Sequence, residues 1–217
     1  MSLNQSHVQP EETIQQSFLG CPDHLLNAIQ YFSFLRDILA DVEQTDEVVI
    51  VDSTRYAIEM LESIQTFDCN IWASSQAQLP SFSICDIDML RKLSESYKIG
   101  AFIYGRRVLD ALTHDVTPQD DLVSTLLHII GELKDDGIVL KCILWPIFIA
   151  GLECQSQSPR VFLITCLERF WADTSCLNAI NAFKILDEYW MRADYGELSS
   201  SRWIFSVAHL GRDWLLI

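Results

Sequence analysis

Residues Ile143–Glu153 read ILWPIFIAGLE, inside the longer run GIVLKCILWPIFIAGLE. Between Gly137 and Leu152 the one charged residue is Lys141. About 15 such residues fall short of the ~20 that a membrane span needs. The run therefore predicts a helix buried on nearly all sides by neighbouring helices. Pro146 lies in its middle, and proline offers no N–H to the carbonyl four residues back, here that of Cys142. Either the helix bends there, or one helix ends and another begins. A bare carbonyl in dry surroundings is costly, so that of Cys142 requires water, a side chain or a ligand. The proline marks either a bend that fits the core or an opening in it.

Amphipathic segments flank this run on both sides. IDMLRKLSESYKIGAFIYGRRVLDALTH predicts a long helix from Ile87, with the stripe Leu90, Leu93, Tyr97, Ala101, Tyr104, Val108 and Leu112. Gly100 and Gly105 each cost it up to ~1 kcal/mol relative to alanine. They imply a closely pressed neighbour or a kink. VTPQDDLVSTLLHIIGEL predicts a loop and a helix, with Thr117 as N-cap and Pro118 in the first turn. QSQSPRVFLITCLERFWADT repeats that grammar with Ser158 and Pro159, and buries Val161, Leu163, Ile164, Leu167, Phe170 and Trp171. CLNAINAFKILDEYWMRAD buries Leu177, Ile180, Phe183, Leu186, Tyr189 and Trp190.

Nearer the N-terminus, CPDHLLNAIQYFSFLRDILADVEQ predicts a helix with Pro22 in its first turn, buried through Leu25, Leu26, Ile29, Phe32, Leu35, Ile38 and Leu39. EVVIVDSTRYAIEMLESIQTF is open between a short strand at Val48–Val51 and a helix capped by Ser53, buried through Tyr56, Ile58, Met60, Leu61 and Ile64. CNIWASSQAQLPSFSICDID reads mostly as loop. The apolar closing stretch RWIFSVAHLGRDWLLI is expected to pack back onto the body. Strand alternation, a βαβ rhythm and internal repeats are absent from the sequence. The expectation is an all-α chain: a mobile polar arm over 1–19, then a single multi-helix bundle over 20–217 around a central apolar, Pro-kinked helix.

Composition narrows function by exclusion. The 217 residues are 49% hydrophobic and 21% charged, enough apolar matter for a large core. Fifteen basic against 30 acidic residues give a net charge of −15, which opposes binding to a phosphate backbone. The seven cysteines are odd in number and no pair is spaced C-x-x-C, which suits free thiols in a reducing compartment. Neither phosphate-binding loops nor nucleophile or zinc motifs occur. Of the histidines, His7, His24, His114, His128 and His209, only His24 lies within five residues of a cysteine, Cys21, and no second pair of that kind completes a ligand set. Neither a metal nor a cofactor is expected. His128 reads as a core-edge histidine or as a pocket acid or base. Glu153 reads as paired, with Arg160 or Arg169 available, or as a proton shuttle at an apolar helix end.

The block LLHIIGELKDDGIVLKCILWPIFIAGLECQSQSPRVFLITCLERFW, followed by CLNAINAFKILDEYW, resembles the C-terminal regulatory domain of fungal zinc-cluster transcription factors. The likeness is carried by Leu144, Trp145, Pro146, Phe148, Ala150, Gly151, Glu153, Arg160 and Trp190. It implies an all-helical fold, a nuclear or cytoplasmic setting without secretion, and in some relatives a hydrophobic ligand that controls activation. The DNA-reading module of that group needs six clustered cysteines and a basic stretch. This sequence has neither, so direct nucleic-acid binding is not expected.

Two functional expectations follow. The first is a regulatory domain whose partner is a hydrophobic small molecule or a regulatory protein, with no membrane partner and with a homodimer left open. The alternative is a cofactor-independent cyclase, isomerase or pericyclase of fungal secondary metabolism, which needs positioning and a few hydrogen bonds rather than a nucleophile. In either case a pocket is expected beside Pro146. Its ligand-binding candidates are Tyr104, Arg107, Trp145, Trp171 and Trp190. His128 and Glu153 are catalytic under the alternative only.

Overall fold

The computed structural model describes residues 20–41, 47–77, 86–196 and 203–206. They form α1 (Asp23–Asp41), α2 (Glu47–Thr66), α3 (Cys69–Gln76), α4 (Ile87–Thr113) and α5 (Asp120–Leu133). A 3-10 turn (Val139–Cys142) leads to α6 (Leu144–Glu153), α7 (Gln157–Thr174), α8 (Leu177–Asp194) and α9 (Trp203–Ser206). The described residues contain no strand, and the chain is all-α. The 1–19 arm, His7, Cys85 and His209 lie outside the described residues.

Every residue of the stripe expected on α4 is buried. This helix packs against α1, α2, α3, α5, α6 and α9, so most of the bundle is gathered round it. Its two glycines mark close approach. A Cβ on Gly105 would lie 2.3 Å from Phe32 Cε2, and one on Gly100 would lie 2.8 Å from Trp145 Cζ3. Phe32 and Trp145 therefore press directly on the α4 backbone.

The run is interior as expected from Ile143 to Leu152, whereas Gly137, Ile138 and Lys141 before it are exposed. α6 links the two halves of the bundle, with α4 and α5 on one side and α7 and α8 on the other. Of the two possibilities at Pro146, the structure takes the second: the 3-10 turn ends at Cys142 and α6 begins at Leu144. Pro146 is thus the third residue of α6, where a missing N–H removes no intrahelical bond. The Cys142 carbonyl finds a side chain, since the Tyr97 hydroxyl donates to it at 2.7 Å. Tyr97→Phe deletes that bond and should cost about 0.5–1.5 kcal/mol. Urea unfolding of the variant measures this, and an unchanged midpoint would show that the bond contributes nothing.

Several local expectations are corrected. Residues 47–50 continue the helix rather than forming a strand, and Ser53 lies within α2 instead of capping it. Each of these β-branched residues costs a helix only tenths of a kcal/mol, too little to keep residues 47–50 out of it. The buried face of α2 is Ala57, Leu61 and Ile64, which leaves Tyr56 and Ile58 exposed. Much of the supposed loop is α3, because the Asp68 carboxylate accepts from the N–H groups of Asn70 and Ile71. α5 starts at Asp120 with Gln119 at its cap, and α7 starts at Gln157 with Ser156 there, so neither Thr117 nor Ser158 is a cap. Val161 and Leu177 are exposed, and Trp171 is 37% exposed. The stripes of α7 and α8 turn instead through Cys166 and through Ala179, Ala182 and Ile185.

Six described cysteines are free, and Cys21, Cys154 and Cys166 are buried. Burial raises all three thiols, that of Cys154 to about 12 and that of Cys166 to about 11. The thiolate is the reactive form, so the native protein at pH 8 should leave these three unmodified by a disulfide reagent until denaturant is added. Rapid labelling of any of them, followed by peptide mass mapping, would contradict their burial.

Candidate functional site

The last turn of α6 is where charge enters the core. Glu153 closes that helix with its side chain 5% exposed, facing Arg107 of α4 at 6%. Arg107 Nε donates to Glu153 Oε1 and Nη2 to Oε2, both at 2.7 Å, a bidentate pair. Nη1 donates to the Thr117 carbonyl and to Asp110 Oδ2. Asp110 in turn accepts from the backbone N–H and hydroxyl of Thr117, which ties down the loop before α5. Burial pulls the Arg107 pKa down, but Glu153 and Asp110 outweigh it and hold the guanidinium above its ordinary value. Trp203 of α9 adds a third donor to Glu153, Nε1 to Oε1 at 2.6 Å. Its ring stacks on Tyr104, whose hydroxyl donates to Ser33 Oγ at 3.2 Å.

The end of α6 also carries carbonyls with no helical partner. Trp190 Nε1 donates to the Gly151 carbonyl at 2.8 Å, and Arg160 Nε to that of Cys154 at 3.2 Å. Arg160 Nη1 reaches both oxygens of Asp194, at 2.9 and 2.7 Å, and the guanidinium lies over the Trp190 ring. A half-open cavity of about 310 Å³ adjoins this cluster, walled by Leu152, Cys154, Arg160, Tyr189, Ala193 and Asp194.

Among the anticipated site residues, Tyr104, Arg107 and Glu153 therefore meet in one network. Trp190 stands beside the other cluster at the same helix end. The remainder are elsewhere. Trp145 lies flat on Tyr97, with ring centroids 5.8 Å apart, against Gly100 at the start of α6. The described cavity lies at the opposite end of α6 from Pro146. Trp171 is on the outer side of α7, and the His128 side chain is 76% exposed on α5, 3.9 Å from Glu132. The partner of Glu153 is Arg107, not Arg160 or Arg169, because Arg160 is taken by Asp194 and Arg169 by Asp135. Asp110, Asp194 and Trp203 were missed. Asp110 alone carried a signal, since it follows Arg107 at the i,i+3 spacing of a helical ion pair. No group of three or more His, Cys, Asp or Glu among the described residues is placed to hold a metal ion. No described helix is long and apolar enough to cross a membrane.

The family model for the fungal specific transcription factor domain matches residues 2–217. The chain belongs to that family. Neither a curated protein nor a solved structure matches it. In this fungal transcription factor domain the residues of the L-W-P-x-F-x-A-G-x-E block have separate physical tasks. Trp145 packs on the Gly100 backbone, Gly151 admits Leu186 where a Cβ would lie 2.7 Å from it, and Glu153 receives Arg107. Arg160 and Trp190 close the carbonyl end of the same helix.

Proposed function

We propose that this domain regulates transcription by responding to a hydrophobic small molecule or a regulatory protein, in the nucleus or cytoplasm, without contacting DNA itself. The match to a fungal transcription factor domain over residues 2–217 is the observation that carries the regulatory part. The net charge of −15, with Arg107 and Arg160 drawn into internal ion pairs, supports the part about DNA. The enzyme alternative leaned on Glu153 as a proton shuttle and His128 as a donor. Both oxygens of Glu153 are engaged by Arg107, and His128 stands in solvent, so the regulatory reading has the better support.

A reporter fusion tests it. Joined to an unrelated DNA-binding module in a fungal host, the domain should change reporter output relative to the module alone. The purified domain should show no salt-dependent association with duplex DNA. An inert fusion overturns the regulatory reading, and tight DNA binding at physiological salt overturns the rest.

A further inference from the structure

The cavity at the carbonyl end of α6 has a polar wall that the fold leaves unfinished. Arg160 is buried at 5% exposure and lines it. Its Nε and Nη1 are used by Cys154 and Asp194, but its Nη2 has no hydrogen-bond partner among the described residues. Tyr189, 4% exposed, forms another part of the wall, and its hydroxyl has no partner among the described residues either. Neither group is sealed in, because the sealed side-chain orphans among the described residues are Gln76 Oε1 and Gln119 Oε1. Two donors without a described partner, carried by nearly buried side chains, thus line one cavity. A donor that still meets solvent can exchange water for an acceptor on a bound molecule.

The composition of the walls selects the guest. Leu152, Ala193 and the Tyr189 ring give an apolar portion, the rest of the lining (Gln155, Arg160, Asp194 and the Tyr189 hydroxyl) is mostly polar, and a volume of about 310 Å³ stands at the lower end of small-molecule sites, roughly 300–1,000 Å³. The guanidinium charge of Arg160 is already matched by Asp194, and the Glu153 carboxylate adds negative potential at Tyr189. Burial first, then Glu153, pushes the Tyr189 hydroxyl up to about 12, so it is present as a donor at neutral pH. The site thus offers hydrogen-bond donors without surplus positive charge. That suits an uncharged acceptor better than an anion.

We propose that this cavity binds a small uncharged molecule carrying a carbonyl oxygen, which accepts from Arg160 Nη2 and the Tyr189 hydroxyl. A ketone, ester, lactone or amide on a short hydrocarbon body meets that description. The inference rests on the small-molecule branch of the function proposed above and gives it a place and a ligand class.

Titration of the full chain with acetophenone, ethylbenzene and benzoate, followed by ¹⁵N-resolved NMR, tests the assignment. Acetophenone should move the amide signals of Cys154, Gln155 and Ala193 at concentrations where ethylbenzene and benzoate do not. Tyr189→Phe removes only a hydroxyl without a protein partner, so the variant should keep its urea midpoint while binding acetophenone about three- to tenfold more weakly. Equal binding of ethylbenzene overturns the carbonyl assignment, and tighter binding of benzoate overturns the neutral-acceptor argument in favour of an anion site. No shifts with any probe, or unweakened binding to Tyr189→Phe, overturns the site itself. The reporter fusion is read independently: an active fusion beside a silent titration removes the cavity and leaves the regulatory reading intact.

Discussion

Glu153→Ala should destabilise the domain by about 3–5 kcal/mol, the loss expected when one partner of a buried ion pair is removed. The reason lies in what stays behind. Arg107 remains 6% exposed in the core with Nε and Nη2 facing an empty space, and Asp110 reaches only Nη1. Trp203 Nε1 loses its acceptor in the same step. Glu153→Gln keeps the shape and one acceptor oxygen while deleting the charge, so it should fall between wild type and alanine. Urea unfolding of the three proteins measures the series. The losses from Trp203→Phe and Glu153→Ala should not add in the double variant, because both delete the same bond. An alanine variant that loses less than about 1 kcal/mol would mean that water replaces the carboxylate at no cost, and the network would lose its structural role.

The second large effect joins α1 to α4. Phe32 is completely buried and its ring rests on the backbone at Gly105, so Phe32→Ala should cost about 3–5 kcal/mol. Gly105→Ala presents the reverse problem. Alanine is favoured over glycine in a helix by about 1 kcal/mol, but here its methyl would sit 2.3 Å from Phe32 Cε2. Overpacking should win, with a net loss of about 1–3 kcal/mol. With Phe32 already alanine, the obstacle is gone, and Gly105→Ala should become stabilising. A reversal of sign between the two backgrounds, read from thermal or urea midpoints, is the signature of the contact. The same sign in both would place the strain elsewhere.

The parts of this architecture that were readable from sequence share a cause. α4 runs for 27 residues, long enough for the 3.6-residue period of its stripe to stand out, and α6, without charge before Glu153, permits only burial. Pro146 posed a question about one carbonyl, and the bundle answers it with Tyr97, 45 residues upstream. The misreadings are also physical. On α2 the large apolar Tyr56 and Ile58 were counted as core, while the small Ala57 between them is the residue that packs at the interface. On α7 and α8 the choice of face was decided by neighbours, which a single helical segment does not reveal. The choice of ion-pair partner was of the same kind. Arg160 and Arg169 are close to Glu153 in the chain, but the helix turn directs Glu153 to Arg107, 46 residues away.

The crossing of so many chain-distant contacts at α4 has a kinetic meaning. Tyr104 closes a loop of 71 residues to Ser33, and Arg107 one of 46 to Glu153. Loop-closure entropy grows so slowly with length that these two events differ by only about 0.4 kcal/mol. Neither side of the bundle therefore has a decisive head start in assembly. Both closures, one from the N-terminal helices and one from the C-terminal ones, need α4 as their common landing place.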